Sequence, residues 1–156
     1  LVAADSDIYR VQEVDNTLIP GSEGLGVYEL WAVFHGEPDC GQVLKTPYWA
    51  NSADVSKEKI GVHCADGKVC YANDAENVKI LEMNFHAKEP NVFHWSMSTV
   101  SIYKDRGWKM YSLQGNISGS CYPDKGDTFT CANVGGVAIR KVDGVRMFRC
   151  KTSFTA

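Results

Sequence analysis

The chain has 156 residues, 44% hydrophobic and 22% charged, with a formal net charge of −3. That length suits one domain, 1–156, with a real core, and the composition is ordinary for a soluble fold. No apolar run approaches the roughly 20 residues a spanning helix needs, which excludes helical membrane insertion.

In chain order, Ile8–Val14 mixes apolar and polar positions as a first strand does, ending before Asn16, Pro20 and the Gly-rich 21–26. Val27–Phe34 is apolar at nearly every position, which predicts a central strand covered on both faces. His35, Glu37 and Asp39 alternate as a metal site would, but Asp39 in front of Cys40–Lys45 reads better as the cap of a short helical turn. Lys59–His63 is a short strand, and Tyr71–Asn77 has room for one helical turn. Val78–His86 and Asn91–Tyr103 are longer strands. Lys104-Asp-Arg-Gly107 is a turn, followed by strands at Trp108–Leu113, Ile117–Cys121 and Thr128–Cys131. The chain closes on Gly136–Cys150, where Asp143-Gly144 between two β-rich runs predicts a hairpin. That register sets Ile139 opposite Phe148 and Val137 opposite Cys150 on the core face. Eight to ten strands with almost no helical periodicity predict an all-β, mainly antiparallel, single-domain disulfide-stapled β-barrel or β-sandwich with little helix.

The six cysteines, Cys40, Cys64, Cys70, Cys121, Cys131 and Cys150, show no Cys-x2-Cys spacing, so disulfides are a better reading than zinc or redox chemistry. The expected pairs are Cys64–Cys70, Cys121–Cys131 and Cys40–Cys150. An oxidising, extracellular compartment follows. Leu1-Val-Ala-Ala-Asp5 reads as a mature N-terminus behind a removed leader, and Asn116-Ile117-Ser118 is an N-glycosylation sequon on a loop.

Gly-x-Ser-x-Gly, Gly-x4-Gly-Lys-Ser/Thr, His-Glu-x2-His and EF-hand patterns are all missing, so the commonest enzyme classes lose their support and no cofactor or metal is implied. The best acid/base constellation is Glu82, His86 and His94, which a hairpin between the two longer strands would bring together. Strand-face polar residues are the plainer explanation. Charge is uneven: residues 140–156 hold five of the sixteen Lys and Arg and one of the nineteen acids, +4 against −7 elsewhere. Arg140, Lys141, Arg146, Arg149 and Lys151 therefore form a candidate basic contact surface, the alternative being protection of a sheet edge.

Ser52–Cys64, Val78–Phe85, Tyr103–Gly107 and Met147–Cys150 resemble segments of small secreted cysteine-containing proteins of filamentous fungi, some similar to hypersensitive-response-inducing elicitors of plant pathogens. The resemblance implies a secreted, non-enzymatic virulence effector or elicitor, with a host plant protein or cell-surface component as partner, and carries over no individual residue. A secreted ribonuclease is the rival, because the 135–150 segment looks faintly like the closing hairpin of fungal guanyl-specific ribonucleases. Those place a catalytic His on the first of its strands, whereas this chain has Arg140 nearby, so a nucleic-acid partner is disfavoured. A third reading is a small-ligand or glycan-binding barrel using Trp49, Trp95 and Trp108. Oligomeric state is not legible in the sequence.

Overall fold

A computed structural model describes residues 4–17, 24–46, 48–57, 59–64, 75–84, 99–135 and 138–152. Among these, ten strands form one sheet, with a single α-helix and two 3-10 turns. The strands are β1 (Ala4–Thr17), β2 (Gly24–Phe34), β3 (Trp49–Ala50), β4 (Gly61–Cys64), β5 (Ile80–Asn84), β6 (Thr99–Tyr103), β7 (Lys109–Ser112), β8 (Ile117–Pro123), β9 (Thr128–Gly135) and β10 (Ala138–Thr152). The helix α1 spans Cys40–Lys45. The order is β3-β2-β1-β10-β8-β7-β6-β5-β4, all antiparallel pairs. A parallel bridge between Asn51 and Val62 brings the two ends together. The result is a nearly closed antiparallel barrel, which removes most of the exposed sheet edge.

Alternation fills the barrel. Ile8, Trp31, Val33, Val62, Leu81, Met83, Val100, Ile102, Met110 and Phe148 form a buried cluster with Cys121 and Cys150. Burying one such large side chain contributes about 1.5–3 kcal/mol relative to leaving it exposed. The opposite parity of β1 and β2 supplies a second cluster, in which Tyr9, Val11, Ala32 and Phe34 meet Val43 of α1, Cys131 of β9 and Val142 of β10. Residues Trp31–Phe34 are thus covered on both faces, as their apolar run predicts. The rest of β2 departs from that expectation: Leu25, Val27 and Tyr28 are exposed, because the strand outruns the barrel and β3 covers it only at Leu30 and Trp31.

The closing hairpin is corrected outright. β10 runs without a turn through Asp143-Gly144, pairing with β1 along its whole length. A β-carbon on Gly144 would stand 2.1 Å from a ring carbon of Phe129, so this glycine admits an aromatic ring instead of turning the chain. The hairpin that does form joins β9 to β10. β10 carries a bulge instead. Its register passes from Ile8–Phe148 to Tyr9–Arg146, leaving Met147 as the additional residue. The bulge turns Phe148 and Cys150 into the barrel while Val142 and Gly144 face the second cluster. On the far side of β10, β8 ends and β9 begins at the same level, joined across the bulge by Asp124 N–H to the Met147 carbonyl (3.0 Å) and Arg146 N–H to the Asp127 carbonyl (2.9 Å).

Two predicted disulfides are exchanged. Cys121 bonds Cys150, and Cys40 bonds Cys131. Without a turn at Gly144, Cys150 continues along β10 to lie directly opposite Cys121 of β8. Cys40, at the start of α1, meets β9 instead. Cys64 is also disulfide-bonded, and its predicted partner Cys70 lies outside the described residues. These crosslinks fit an extracellular setting. No helix among the described residues is long and apolar enough to cross a membrane.

Candidate binding cleft on the outer face of the barrel

Because Leu81, Met83, Val100, Ile102 and Met110 point into the barrel, the residues between them point out. Register then lines up a polar row across four strands: His63 opposite Glu82, Glu82 opposite Ser101, and Ser101 opposite Tyr111. The part of this row from Glu82 through Ser101 to Tyr111 is the floor of a cleft of about 400 Å³, with His63 beyond its edge.

Its walls come from three short connections. In the 52–57 loop, Asn84 Nδ2 donates to the carbonyls of Val55 (3.0 Å) and Lys57 (2.9 Å), and Val55 is buried. Ser56 N–H donates to Asp54 Oδ1 at 2.8 Å. The Lys59 ammonium, then the Ser56 side chain and amide, hold the Asp54 carboxyl well below the usual carboxylate range. The second wall is the β7–β8 turn, where Ser112 N–H bonds the Asn116 carbonyl (2.8 Å) and presents Leu113, 69% exposed. The third is the 3-10 turn Lys104–Arg106, terminated by Gly107 in the left-handed region at φ 67°. That turn sends Arg106 back over the sheet. Its guanidinium carbon lies 4.2 Å from the Tyr103 ring centroid and 5.1 Å from that of Tyr111, and the two rings meet edge to face at 5.6 Å.

The cleft therefore holds an acceptor-only carboxylate, a donor-only guanidinium fixed by stacking, and hydroxyls that do either. Among the described residues neither Glu82 nor Arg106 enters an ion pair. His63 Nδ1 lies 3.0 Å from the Ser52 carbonyl, which can only accept, so that nitrogen carries the proton.

Of the residues singled out in the sequence, Glu82 is in this cleft, half-buried on the floor, whereas His86 and His94 lie outside the described residues. The imidazole facing Glu82 is His63, whose pairing depends on strand register and leaves no mark in the local sequence. Arg106 and the two tyrosines were also missed as a group; their signal was a tyrosine before a turn ending in Arg-Gly and a second tyrosine on the returning strand. Asp39 caps α1 as expected, accepting from Gln42 N–H (2.8 Å) while its own N–H donates to Gln42 Oε1 (3.0 Å). Asn116 is exposed beside the cleft wall, while Ser118 of its sequon is buried, 3.4 Å from the Met110 carbonyl. Trp49 and Trp108 pack against the barrel core, and Trp95 is outside the described residues.

Of the proposed basic surface, Arg140, Arg146, Arg149 and Lys151 share one face of β10, opposite β1 positions 15, 9, 7 and 5, with Lys141 on the other, but most of this charge is paired within the protein. Arg140 makes a bidentate pair with Glu13 (2.9 Å to each oxygen) and donates to the Leu44 carbonyl, tying β10 to β1 and α1. Hydrogen bonding to Glu13 raises its already high pKa. Arg146 is buried, its side chain 5% exposed, and pairs with Asp7 (3.3 Å), Asp124 (3.3 Å) and Asp127. Burial alone would lower its pKa, but the three carboxylates outweigh that and raise it. Arg149 reaches Asp7 (3.5 Å) and Asp124 (3.7 Å), and Lys141 reaches Asp143 (3.2 Å). Lys151 is exposed. A second groove, of about 240 Å³ between Arg10, Glu29, Lys125 and Asp143, is likewise spanned by internal pairs: Arg10 bonds Glu29 at 3.2 Å and Gln12 bonds it at 2.9 Å.

The chain matches no family model, no curated protein and no solved structure.

Proposed function

We propose that this chain is a secreted recognition protein of the effector or elicitor type, acting outside the cell by binding through the β5–β7 cleft rather than by catalysis. The observation that carries this reading is the state of Arg106 and Glu82, two charged side chains held in a concave site and engaged in no ion pair among the described residues. A guanidinium stacked on two rings has already lost most of its rotamer freedom, so binding a ligand costs less than it would for a mobile arginine. The disulfides support the extracellular setting, and the likeness to secreted fungal proteins supports a plant host as the source of the partner.

Infiltration of folded protein into leaves tests the reading. The wild type is expected to cause local cell death or defence responses, and the double variant E82Q/R106A, with an unchanged circular dichroism spectrum, is expected to lose them. Silence of the wild type across several hosts, or an undiminished response to the double variant, overturns it.

A further inference from the structure

We propose that the cleft takes a neutral oligosaccharide, an inference that rests on reading this cleft as the recognition surface. Charge balance argues first. Asp54 is already paired with Lys59, which leaves, among the described residues, one carboxylate, Glu82, and one guanidinium, Arg106, facing the cleft. Their fields largely cancel, so neither a phosphate nor a cation gains the net attraction that would select it.

Hydrogen-bond inventory argues next. A sugar ring carries adjacent hydroxyls that each donate and accept. Glu82 can accept from a pair of them, Arg106 can donate to a pair through its planar fork, and Ser101, Ser112 and Tyr111 serve either role. An apolar ligand would leave these groups unpaired on desolvation, which costs more than the contact returns. The apolar surface present is of the size that suits the C–H face of a sugar: the exposed Leu113 side chain, with the edges of the tyrosine rings not covered by Arg106. A volume of about 400 Å³ falls in the lower part of the range for small-molecule sites, about 300–1,000 Å³.

The test uses the full chain, with ¹⁵N chemical-shift perturbation and calorimetry against soluble hexamers of cellulose, xylan, mannan and N-acetylglucosamine as neutral probes. Hexagalacturonate and the fully deacetylated glucosamine hexamer serve as anionic and cationic probes. The expected result is that at least one neutral hexamer shifts resonances of Ser101, Arg106 and Leu113, with an affinity that changes little with salt. E82Q and R106A should each weaken it by roughly tenfold or more, the loss of one charge-assisted hydrogen bond, without moving the thermal midpoint appreciably. Binding of only a charged hexamer, steeply salt-dependent, overturns the inference, as does no shift at the cleft with any neutral probe. A leaf response that needs the cleft while no neutral hexamer binds would sink the sugar assignment and leave the recognition surface standing. Sugar binding with a leaf response indifferent to the cleft would do the reverse.

Discussion

The seam around Arg146 and the cleft beneath Arg106 use the same side chain in contrary ways. Arg146 spends its donors internally: it sits at the β10 bulge and draws Asp7 of β1 and the Asp124 and Asp127 carboxylates of the β8–β9 junction around one guanidinium. Three strands that would otherwise part at a break in the ladder are held there by charge. Arg106 is held by ring faces instead, which fix its position without consuming its hydrogen bonds. An arginine's availability is thus decided by what neutralises it. A count of basic residues along the chain points toward residues 140–151, where most of the charge is already committed.

The largest mutational effect is expected at the seam. Arg146→Ala removes the cation from beside Asp7, whose side chain is 2% exposed, and leaves a buried carboxylate without its main partner. Removing one member of a buried pair destabilises by about 3–5 kcal/mol. Chemical denaturation should show a loss of that size, and the double variant Arg146→Met/Asp7→Leu should recover part of it. If Arg146→Ala costs no more than a surface change, within about 0.5 kcal/mol, the seam is not a structural clamp.

How much of this was legible depended on how local the cause was. The α1 capping box spans four residues, and Asp39 announced it. Alternation in β5 and β7 was equally readable, because a strand's inward parity is written in its own residues, whereas in β6 the buried parity is that of Val100 and Ile102, the one that His94, Ser96 and Ser98 mark as polar further up the chain. Asp143-Gly144 misled because the dipeptide is a turn signal only when nothing else occupies the glycine's empty face. Here Phe129, fifteen residues earlier, fills it, and the strand runs on. The disulfide exchange has a separate cause: nearness in sequence favours Cys121 with Cys131, whereas strand register sets Cys121 directly opposite Cys150. Glu82 was recognisable as a polar group on a half-buried strand, but its neighbours His63 and Ser101 come from register across three strands, which local pattern does not encode.

A smaller effect sharpens the contrast from the alkaline side. Burial first, then the nearby Asp7 carboxylate, pushes the Tyr9 phenol up to about 12, and burial does the same for Tyr48, which donates to the Val43 carbonyl. A phenol raised above its unfolded value near 10 contributes stability that is intact below pH 10 and is lost as pH climbs toward 12. For Tyr9, fully buried, the loss by pH 11 is on the order of 1 kcal/mol. Tyrosinate absorbance should therefore rise together with unfolding for these two residues, and Tyr9→Phe should make the alkaline decline shallower. An unaltered decline in Tyr9→Phe would show that the second cluster does not couple phenol ionisation to folding.

The smallest expected effect is the most discriminating. Arg106→Ala deletes a guanidinium that, at an exposed turn, gains about 0.5–1 kcal/mol from its rings and is engaged in no ion pair among the described residues. Global stability should drop by no more than that, since Gly107 still terminates the turn and Tyr103 and Tyr111 still meet edge to face. Set beside Arg146→Ala in the same denaturation series, it should separate a several-kcal/mol loss from a marginal one. If the two variants instead destabilise alike, Arg106 belongs to the scaffold as Arg146 does, and the cleft loses the feature that distinguishes it from the seam.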